Sequence, residues 1–396
     1  MNSIDSIKNV SVIGTGTMGR EIGQVVLMGG YNTTIYDKDQ NAINKAKEFI
    51  RRNLEKLERK QKLPNGLTAD EIIKNLNTAD DLEKSVKGSD LVIEAIPEIM
   101  DLKQDLFKEL SEICPEDTIL ASNTSNMPVT EIASKAKNPE SVVGMHFFTP
   151  IVVLRAIELI KGKQTSKNIY QIAEKFARSL PCLRGERKII KVEKETPGFI
   201  VNRITGAGGL YFSWLLEKGQ KKGVPYESID ADVIAMQGGG LGPYAKYDIL
   251  GLDVIYHSFK YYSKTLSKDF SPPTYLKDLV EKGHLGKKTG KGFYEWTEDG
   301  QPKGDFSSKA RMFNPEIYMA IQLNEGCRLL EQGVVNSYEE IDKAIETAMG
   351  MAGPFNVGKK QYKRWSELLE DFAEKSGLSY LKPCKMMRSG EFLEMK

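Results

Sequence analysis

The chain has little of what several protein classes require. Its 396 residues include only four cysteines, Cys114, Cys182, Cys327 and Cys384, none of them in a CxxC pair. That excludes the usual thiolate spacings for a metal and a disulfide framework, so no metal site is expected, and it fits a reducing compartment. No run of about 18 apolar residues occurs, so no membrane-spanning helix is expected. Met1 to Asn9 is polar and lacks a signal-type apolar core, which makes the cytoplasm the expected location. Lys+Arg 56 against Asp+Glu 54 leaves a net charge of +2, too little to argue for a nucleic-acid or membrane partner. What is present is 40% hydrophobic residues, ordinary for a globular protein, in a chain long enough for two or three domains.

The first half alternates short apolar runs with helical periods. Residues 10–13, 33–36, 91–95, 118–121 and 142–145 each read as a buried strand. Between Asn41 and Leu57, the residues Ile43, Ala46, Ile50, Leu54 and Leu57 make one helical stripe. Such alternation predicts a parallel sheet with helices on both faces. Near Glu193 the pattern changes, and helical periods dominate to the end. There the sequence also repeats itself. Leu215-Leu216-Glu217-Lys218-Gly219, Ser228-Ile229-Asp230 and Gly242-Pro243 are followed by Leu329-Leu330-Glu331-Gln332-Gly333, Glu340-Ile341-Asp342 and Gly353-Pro354. Three matched features in order, at a nearly constant spacing of about 112 residues, predict a duplicated helical unit. The glycine-rich stretch 283–292 and polar 298–308 are the expected separator.

Val12-Ile13-Gly14-Thr15-Gly16-Thr17-Met18-Gly19 is a G-x-G-x-x-G at the end of the first strand. Its glycines allow a tight turn, close approach of backbone to a pyrophosphate, and close helix–strand packing. The helix that begins near Met18 points unpaired N–H groups and its positive dipole end at the phosphates. A second strand ends at Asp37, where a carboxylate accepts hydrogen bonds from ribose hydroxyls and repels a 2′-phosphate. NAD is therefore expected over NADP, although Lys38 weakens the exclusion. The alternative is a plain glycine turn beside a solvated Asp37.

Only three histidines occur. His257, on a helical stretch, and His284, in the glycine- and lysine-rich stretch, read as packed or surface residues. His146 ends a strand in Gly144-Met145-His146-Phe147-Phe148, where an open parallel sheet places its ligand crevice. Glu158 lies inside the apolar run Ala156-Ile157-Glu158-Leu159-Ile160, and a carboxylate is costly to bury there without a partner. An antiparallel return of the chain would set it beside His146. Oxidising an alcohol needs a base for the hydroxyl proton, and histidine titrates nearest neutrality.

Gly14–Gly19, Ser122-Asn123-Thr124-Ser125, His146-Phe147-Phe148-Thr149-Pro150, Ile157-Glu158-Leu159-Ile160 and Pro197-Gly198-Phe199-Ile200-Val201-Asn202-Arg203 occur in the order and spacing of the L-3-hydroxyacyl-CoA dehydrogenases, which the chain resembles. The resemblance runs from about residue 8 through Gly286-Lys287-Lys288-Thr289-Gly290-Lys291-Gly292-Phe293-Tyr294, to about residue 296. The duplicated part beyond is similar to the tandem helical domains of multifunctional fatty-oxidation enzymes and archaeal dehydrogenase–hydratase fusions. The resemblance implies His146 as general base, Glu158 as its orienting partner, and Ser125 and Asn202 as donors to the C3 oxygen that also keep the thioester in register. It implies Gly14, Gly16, Thr17, Met18, Gly19 and Asp37 as NAD contacts, with Glu98 and Lys103 on the nicotinamide side. Asn53, where a serine is common, and Lys60 fall where the family contacts coenzyme A. Three departures stand out: Thr149 in place of an asparagine, Val152 in place of a proline, and a short insertion over residues 183–188. The first two sit beside His146 and bear on acyl-group preference.

The expected architecture is thus an α/β Rossmann-type domain over 1–193, then two all-α helical modules over 194–298 and 299–396. The expected reaction is NAD-dependent, reversible oxidation of (S)-3-hydroxyacyl-CoA to 3-oxoacyl-CoA, as in fatty-acid oxidation or short-chain acyl-CoA metabolism, with 3-hydroxybutyryl-CoA the expected type of substrate. The expected partner is the acyl-CoA substrate, and the expected assembly is a homodimer or a compact monomer. Two rivals remain open. A dehydrogenase of free hydroxy acids or sugar acids would place proline, not Phe147-Phe148, after the histidine. A silent NAD or acyl-CoA binder would show binding without turnover.

Overall fold

Buried-on-both-faces strands such as Asn9–Ile13 can only sit inside a sheet covered by helices, and that is how the first part of the chain folds. The computed structural model describes residues 6–395. Two compact units result. One runs to Val201 and takes in Gln332–Gly353; the other comprises Asn202–Glu331 and the chain from Pro354.

The first unit carries strands β1 (Asn9–Ile13), β2 (Asn32–Tyr36), β3 (Leu76–Thr78), β4 (Leu91–Glu94), β5 (Ile119–Ser122), β6 (Val142–Phe147), β7 (Ala156–Ile160) and β8 (Lys188–Val192). They form one sheet in the order β3-β2-β1-β4-β5-β6-β7-β8. β1 to β6 are parallel, with β1 at the centre and the order reversing beside it, which is the doubly wound arrangement. β7 turns back antiparallel to β6, and β8 follows parallel to β7. The helices between them are α1 (Thr17–Met28), α2 (Gln40–Arg59), α3 (Ala69–Ile73), α4 (Leu82–Val86), α5 (Met100–Ile113), α6 (Val129–Ile132) and α7 (Lys167–Ser179). α2 buries the expected stripe of Ile43, Ala46, Ile50, Leu54 and Leu57, and the Asp39 carboxylate caps its start at the Asn41 amide. All five expected strands are present within a residue or two.

The second part supplies α8 (Val201–Lys221), α9 (Tyr226–Gln237), α10 (Pro243–Leu250), α11 (Leu252–Thr265), α12 (Thr274–Glu281), α13 (Pro315–Glu331), α14 (Tyr338–Met349), α15 (Pro354–Gly358), α16 (Tyr362–Ser376) and α17 (Lys385–Ser389). The expected boundaries at 193/194 and 298/299 are not where the units divide. The first unit extends to Val201, and α14 joins it by packing on β7 and β8, with the Glu193 amide bonded to the Val334 carbonyl. Nor do α8–α12 and α13, α15–α17 stand apart. They share one core in the second unit, where Tyr211 packs on Phe313 and Phe372, and Arg203 pairs with Glu325 at 2.5 Å, both fully buried. The stretch 283–292 is no linker. Phe293 and Tyr294 amides and the Trp296 indole N–H all bond the Asp248 carboxylate, and a side chain at Gly286 would strike the Asp248 backbone.

The repeat itself has a matching geometry. Asp230 accepts from the amides of Tyr244 and Ala245, and a Cβ at Gly242 would lie 2.3 Å from the Asp230 carboxyl carbon. A Cβ at Gly353 would meet Asp342 at the same 2.3 Å. α9 and α14 each end on a left-handed glycine, Gly238 and Gly350.

Candidate active site

Every parallel strand that matters here ends at one edge of the sheet, so the residues just beyond β1, β2, β4, β5 and β6 gather there. At β1, Gly14 has φ +93, and a Cβ there would lie 2.6 Å from the Ala95 carbonyl oxygen. Gly19 lies still closer, since its Cβ would meet the Gly14 carbonyl oxygen at 1.7 Å. Gly16 has open space around it, and α1 starts there without a side-chain cap. The first and third glycines thus pack the turn, and the second leaves a backbone cradle with uncapped N–H groups, which fits a dinucleotide pyrophosphate. Thr17 is exposed on the first turn and Met18 leans against the core. Asp37 at the end of β2 accepts from the Thr15 amide at 2.8 Å and the Thr15 hydroxyl at 3.2 Å. The Asp39 amide reaches its other oxygen at 3.1 Å. The carboxylate is therefore fixed while still half-exposed beside the cradle.

Beyond β4 and β5 lies a buried charge network. Glu94, fully buried at the end of β4, accepts from the Lys103 ammonium at 2.6 Å, the Ser122 hydroxyl at 2.6 Å and the Ile96 amide at 2.7 Å. Lys103 reaches Glu98 as well, at 3.2 Å. One oxygen of Glu98 accepts from the Ser125 amide at 2.6 Å, the Ser125 hydroxyl at 3.0 Å and the Thr124 hydroxyl at 3.0 Å. Burial works to raise the Glu98 pKa, but the Lys103 charge and the Ser125 bonds outweigh it and hold the carboxyl below its ordinary range. Burial likewise works against the charged Lys103, and the two glutamates overcome it and raise its pKa. Lys103 is only 1% exposed and its ammonium is occupied by two carboxylates. It faces inward, and in this arrangement only Glu98 and Ser125 present surface.

His146 and Glu158 are direct cross-strand partners in the β6–β7 register, the antiparallel return that the sequence suggested. His146 Nδ1 lies 2.7 Å from Glu158 Oε2. The other carboxylate oxygen accepts from the Ile200 and Val201 amides, at 3.1 and 2.9 Å, where α8 begins. Glu158 is fully buried, and no lysine or arginine among the described residues pairs with it. Its charge is instead offset by the imidazole and by a helix N-terminus. Phe148 and Phe199 flank the imidazole with ring centroids at 4.4 and 6.1 Å. The Asn123 side-chain oxygen accepts from the Phe147 amide and holds β6 to the turn after β5.

Three sequence candidates remain, Asn53, Lys60 and Asn202. Asn53 donates to Gln24 at 3.2 Å across the α1–α2 contact, and Lys60 is exposed at the C-terminal cap of α2. Asn202 is the second residue of α8, next in the chain to the amide that holds Glu158, and it opens the second unit. Sequence reasoning missed Glu94, although the match of Glu94 and Glu98 to an inward Lys103 is foreshadowed by α5. Lys103, Phe107, Leu110 and Ser111 make its buried stripe. It also missed the Ile200 and Val201 amides, since backbone groups carry no residue signature. His257 and His284 lie on α11 and beyond α12, outside the first unit.

A dinucleotide cradle followed by a buried histidine–carboxylate pair at the same sheet edge defines an NAD-dependent dehydrogenase. Comparison with known proteins agrees. The profile for 3-hydroxyacyl-CoA dehydrogenase, NAD binding domain, matches residues 9–189, and that for the 3-hydroxyacyl-CoA dehydrogenase C-terminal domain matches residues 198–296. The chain is 35% identical over 295 residues to 3-hydroxybutyryl-CoA dehydrogenase of Clostridioides difficile, covering 73% of this chain and 99% of that one. It is 33% identical over 296 residues to the mitochondrial hydroxyacyl-coenzyme A dehydrogenase of Rattus norvegicus, covering 73% and 91%. The crystal structure of 3-hydroxybutyryl-CoA dehydrogenase from Escherichia coli superposes with a TM-score of 0.81 at 26% identity, covering 98% of this chain and 99% of that one. The chain belongs to the 3-hydroxyacyl-CoA dehydrogenase family, and its activity is the NAD-dependent interconversion of 3-hydroxyacyl-CoA and 3-oxoacyl-CoA. Among the described residues no helix is long and apolar enough to cross a membrane.

Proposed function

We propose that the chain oxidises (S)-3-hydroxyacyl-CoA of short chain, such as 3-hydroxybutyryl-CoA, and runs the reverse reduction, with His146 as the proton-transfer group. The observation that carries this reading is the 2.7 Å contact of His146 Nδ1 with a fully buried Glu158. A carboxylate can only accept, so it fixes the imidazole proton on Nδ1 and leaves the Nε2 lone pair as the base. In oxidation Nε2 takes the proton of the C3 hydroxyl, and Glu158 offsets the imidazolium charge that results. In reduction the same proton returns to the C3 oxygen. Bound NAD supplies the hydride acceptor. Gly14, Gly16, Thr17, Met18, Gly19 and Asp37 hold it, and Glu98 orients Ser125 beside it. Ser125 and Asn202 donate to the C3 oxygen as preorganised dipoles. Asn53 and Lys60 meet coenzyme A, Lys60 through a phosphate. Lys103 acts through Glu98, without touching the cofactor.

The matching Asp230–Gly242 and Asp342–Gly353 geometries support a duplicated helical module. The core shared by α8 and α13 supports a compact monomer, with a homodimer as the alternative that sedimentation would reveal. The four free cysteines support a reducing, cytoplasmic setting.

The test is initial-rate kinetics with acetoacetyl-CoA and longer 3-oxoacyl-CoAs, using NADH and NADPH in turn. The expected outcome is fastest turnover at short chain length and a preference for NADH of at least about tenfold, given the Asp37 carboxylate. Binding of NADH and acyl-CoA without turnover would replace this reading with that of a silent binder.

A further inference from the structure

The segment 148–155 joins the strand bearing His146 to the strand bearing Glu158, and it is held from two sides. On one side Glu21, in the first turns of α1, accepts from the Thr149 hydroxyl at 2.9 Å and from the Ile151 amide at 2.8 Å. On the other side stands the segment before β8. Arg187 donates from Nη1 to the carbonyls of Ile151 at 2.9 Å and Leu154 at 2.6 Å. Its Nη2 and Nε donate to the carbonyls of Pro181 and Leu180. The Leu183 amide bonds the Val152 carbonyl at 2.8 Å, and the Cys182 thiol lies 3.3 Å from the Val153 carbonyl oxygen. Thr149, Val152 and the 183–188 segment, which look like three separate departures in the sequence, are thus one contiguous structure.

Arg187 is 2% exposed, and its four bonded partners are neutral carbonyls. Burial pushes the guanidinium pKa down. A buried cation without a carboxylate is an expensive way to gain stability, since apolar packing of similar volume does as well or better. What a planar five-donor fork provides is direction: it fixes carbonyls from two segments in one arrangement. The segment so fixed begins two residues after His146.

We propose that Arg187 and Glu21 are positioning residues that hold segment 149–154 as a wall of the acyl-thioester site, so that a region some forty residues from His146 sets which acyl group is accepted. This rests on the proposed role of His146. Neither residue touches the reacting atoms; both act through the backbone of 149–154 and the Thr149 side chain.

The experiment is steady-state kinetics of Arg187→Lys, Glu21→Gln and Thr149→Val with NADH and a series of 3-oxoacyl-CoAs, starting from acetoacetyl-CoA. A lysine can satisfy only part of the fork. In Arg187→Lys the KM for acetoacetyl-CoA should rise about fivefold to tenfold, the KM for NADH should stay within about twofold, and the ratio of kcat/KM between short and long acyl groups should change. Glu21→Gln and Thr149→Val should move the same quantities less. Thr149 is exposed, so that variant carries the test if Arg187→Lys does not fold. Variants that melt earlier yet keep every acyl-CoA KM and the chain-length ratio would overturn the proposal, as would a change confined to the NADH KM. Wild-type turnover of acetoacetyl-CoA is the separate control. Its absence would sink the proposed reaction, whereas its presence with unchanged ratios in all three variants would sink this inference alone.

Discussion

Glu158 and Glu98 both hold a polar side chain in the candidate site, and they are held in opposite ways. Glu158 is fully buried, faces no lysine or arginine among the described residues, and is bonded by two backbone amides and by His146. Glu98 keeps a third of its side chain accessible and has the Lys103 ammonium at 3.2 Å. A carboxylate already neutralised by a lysine has little charge left to offer a neighbour. One held only by amide dipoles can still stabilise a cation that forms beside it. On the proposed reading, Glu158 serves a group that changes charge in each turnover, and Glu98 serves a serine that does not.

Three changes would break or sharpen that contrast. His146→Ala should have the largest effect, lowering kcat by about 10³-fold while NADH still binds, because general-base catalysis alone contributes that order; turnover and NADH fluorescence titration check it together. Lys103→Met comes next. It leaves Glu94 and Glu98 as buried or half-buried carboxylates without their cation, so denaturant unfolding should show a loss of about 3–5 kcal/mol, and kcat should fall about tenfold through a misplaced Ser125. Loss of activity without loss of stability would mean that Lys103 contacts the cofactor after all. The smallest effect is in acid. Glu98 has its folded pKa held below the ordinary 4.5, so its stabilising contribution is present above that value and is lost as pH falls through the folded one. Wild type should therefore lose stability faster than Glu98→Gln below about pH 4.5. Parallel curves would show that the network contributes nothing of this kind.

How much of this was legible in the sequence follows from what kind of group does each job. The cross-strand contact of His146 and Glu158 could be anticipated, because a glutamate in the middle of Ala156–Ile160 has to find a partner and the strand period puts the histidine opposite. The dinucleotide cradle was legible because its glycines have steric reasons to be there, which Gly14 and Gly19 bear out. The other holders of Glu158 are amides of Ile200 and Val201, which any residue could supply, so nothing in the sequence marks them. Lys103 was implied as a cofactor-side residue by the family resemblance alone; its pairing with Glu94 and Glu98 follows from its place on the buried stripe of α5. The two compact units divide elsewhere than the expected boundaries at 193/194 and 298/299, because a repeat in sequence says nothing about which body a helix packs on. α14 follows the repeat in its Asp342 and Gly353 but lies on β7 and β8.

The central claim is that Glu158 acts only through His146. A double-mutant cycle of His146→Ala, Glu158→Gln and the pair tests it most directly, read as kcat for NADH oxidation with acetoacetyl-CoA. If the claim holds, Glu158→Gln alone costs about 10²-fold, and adding it to His146→Ala changes kcat by no more than about twofold. If the two losses multiply, Glu158 contributes independently of the imidazole, and the two residues do not act as a dyad.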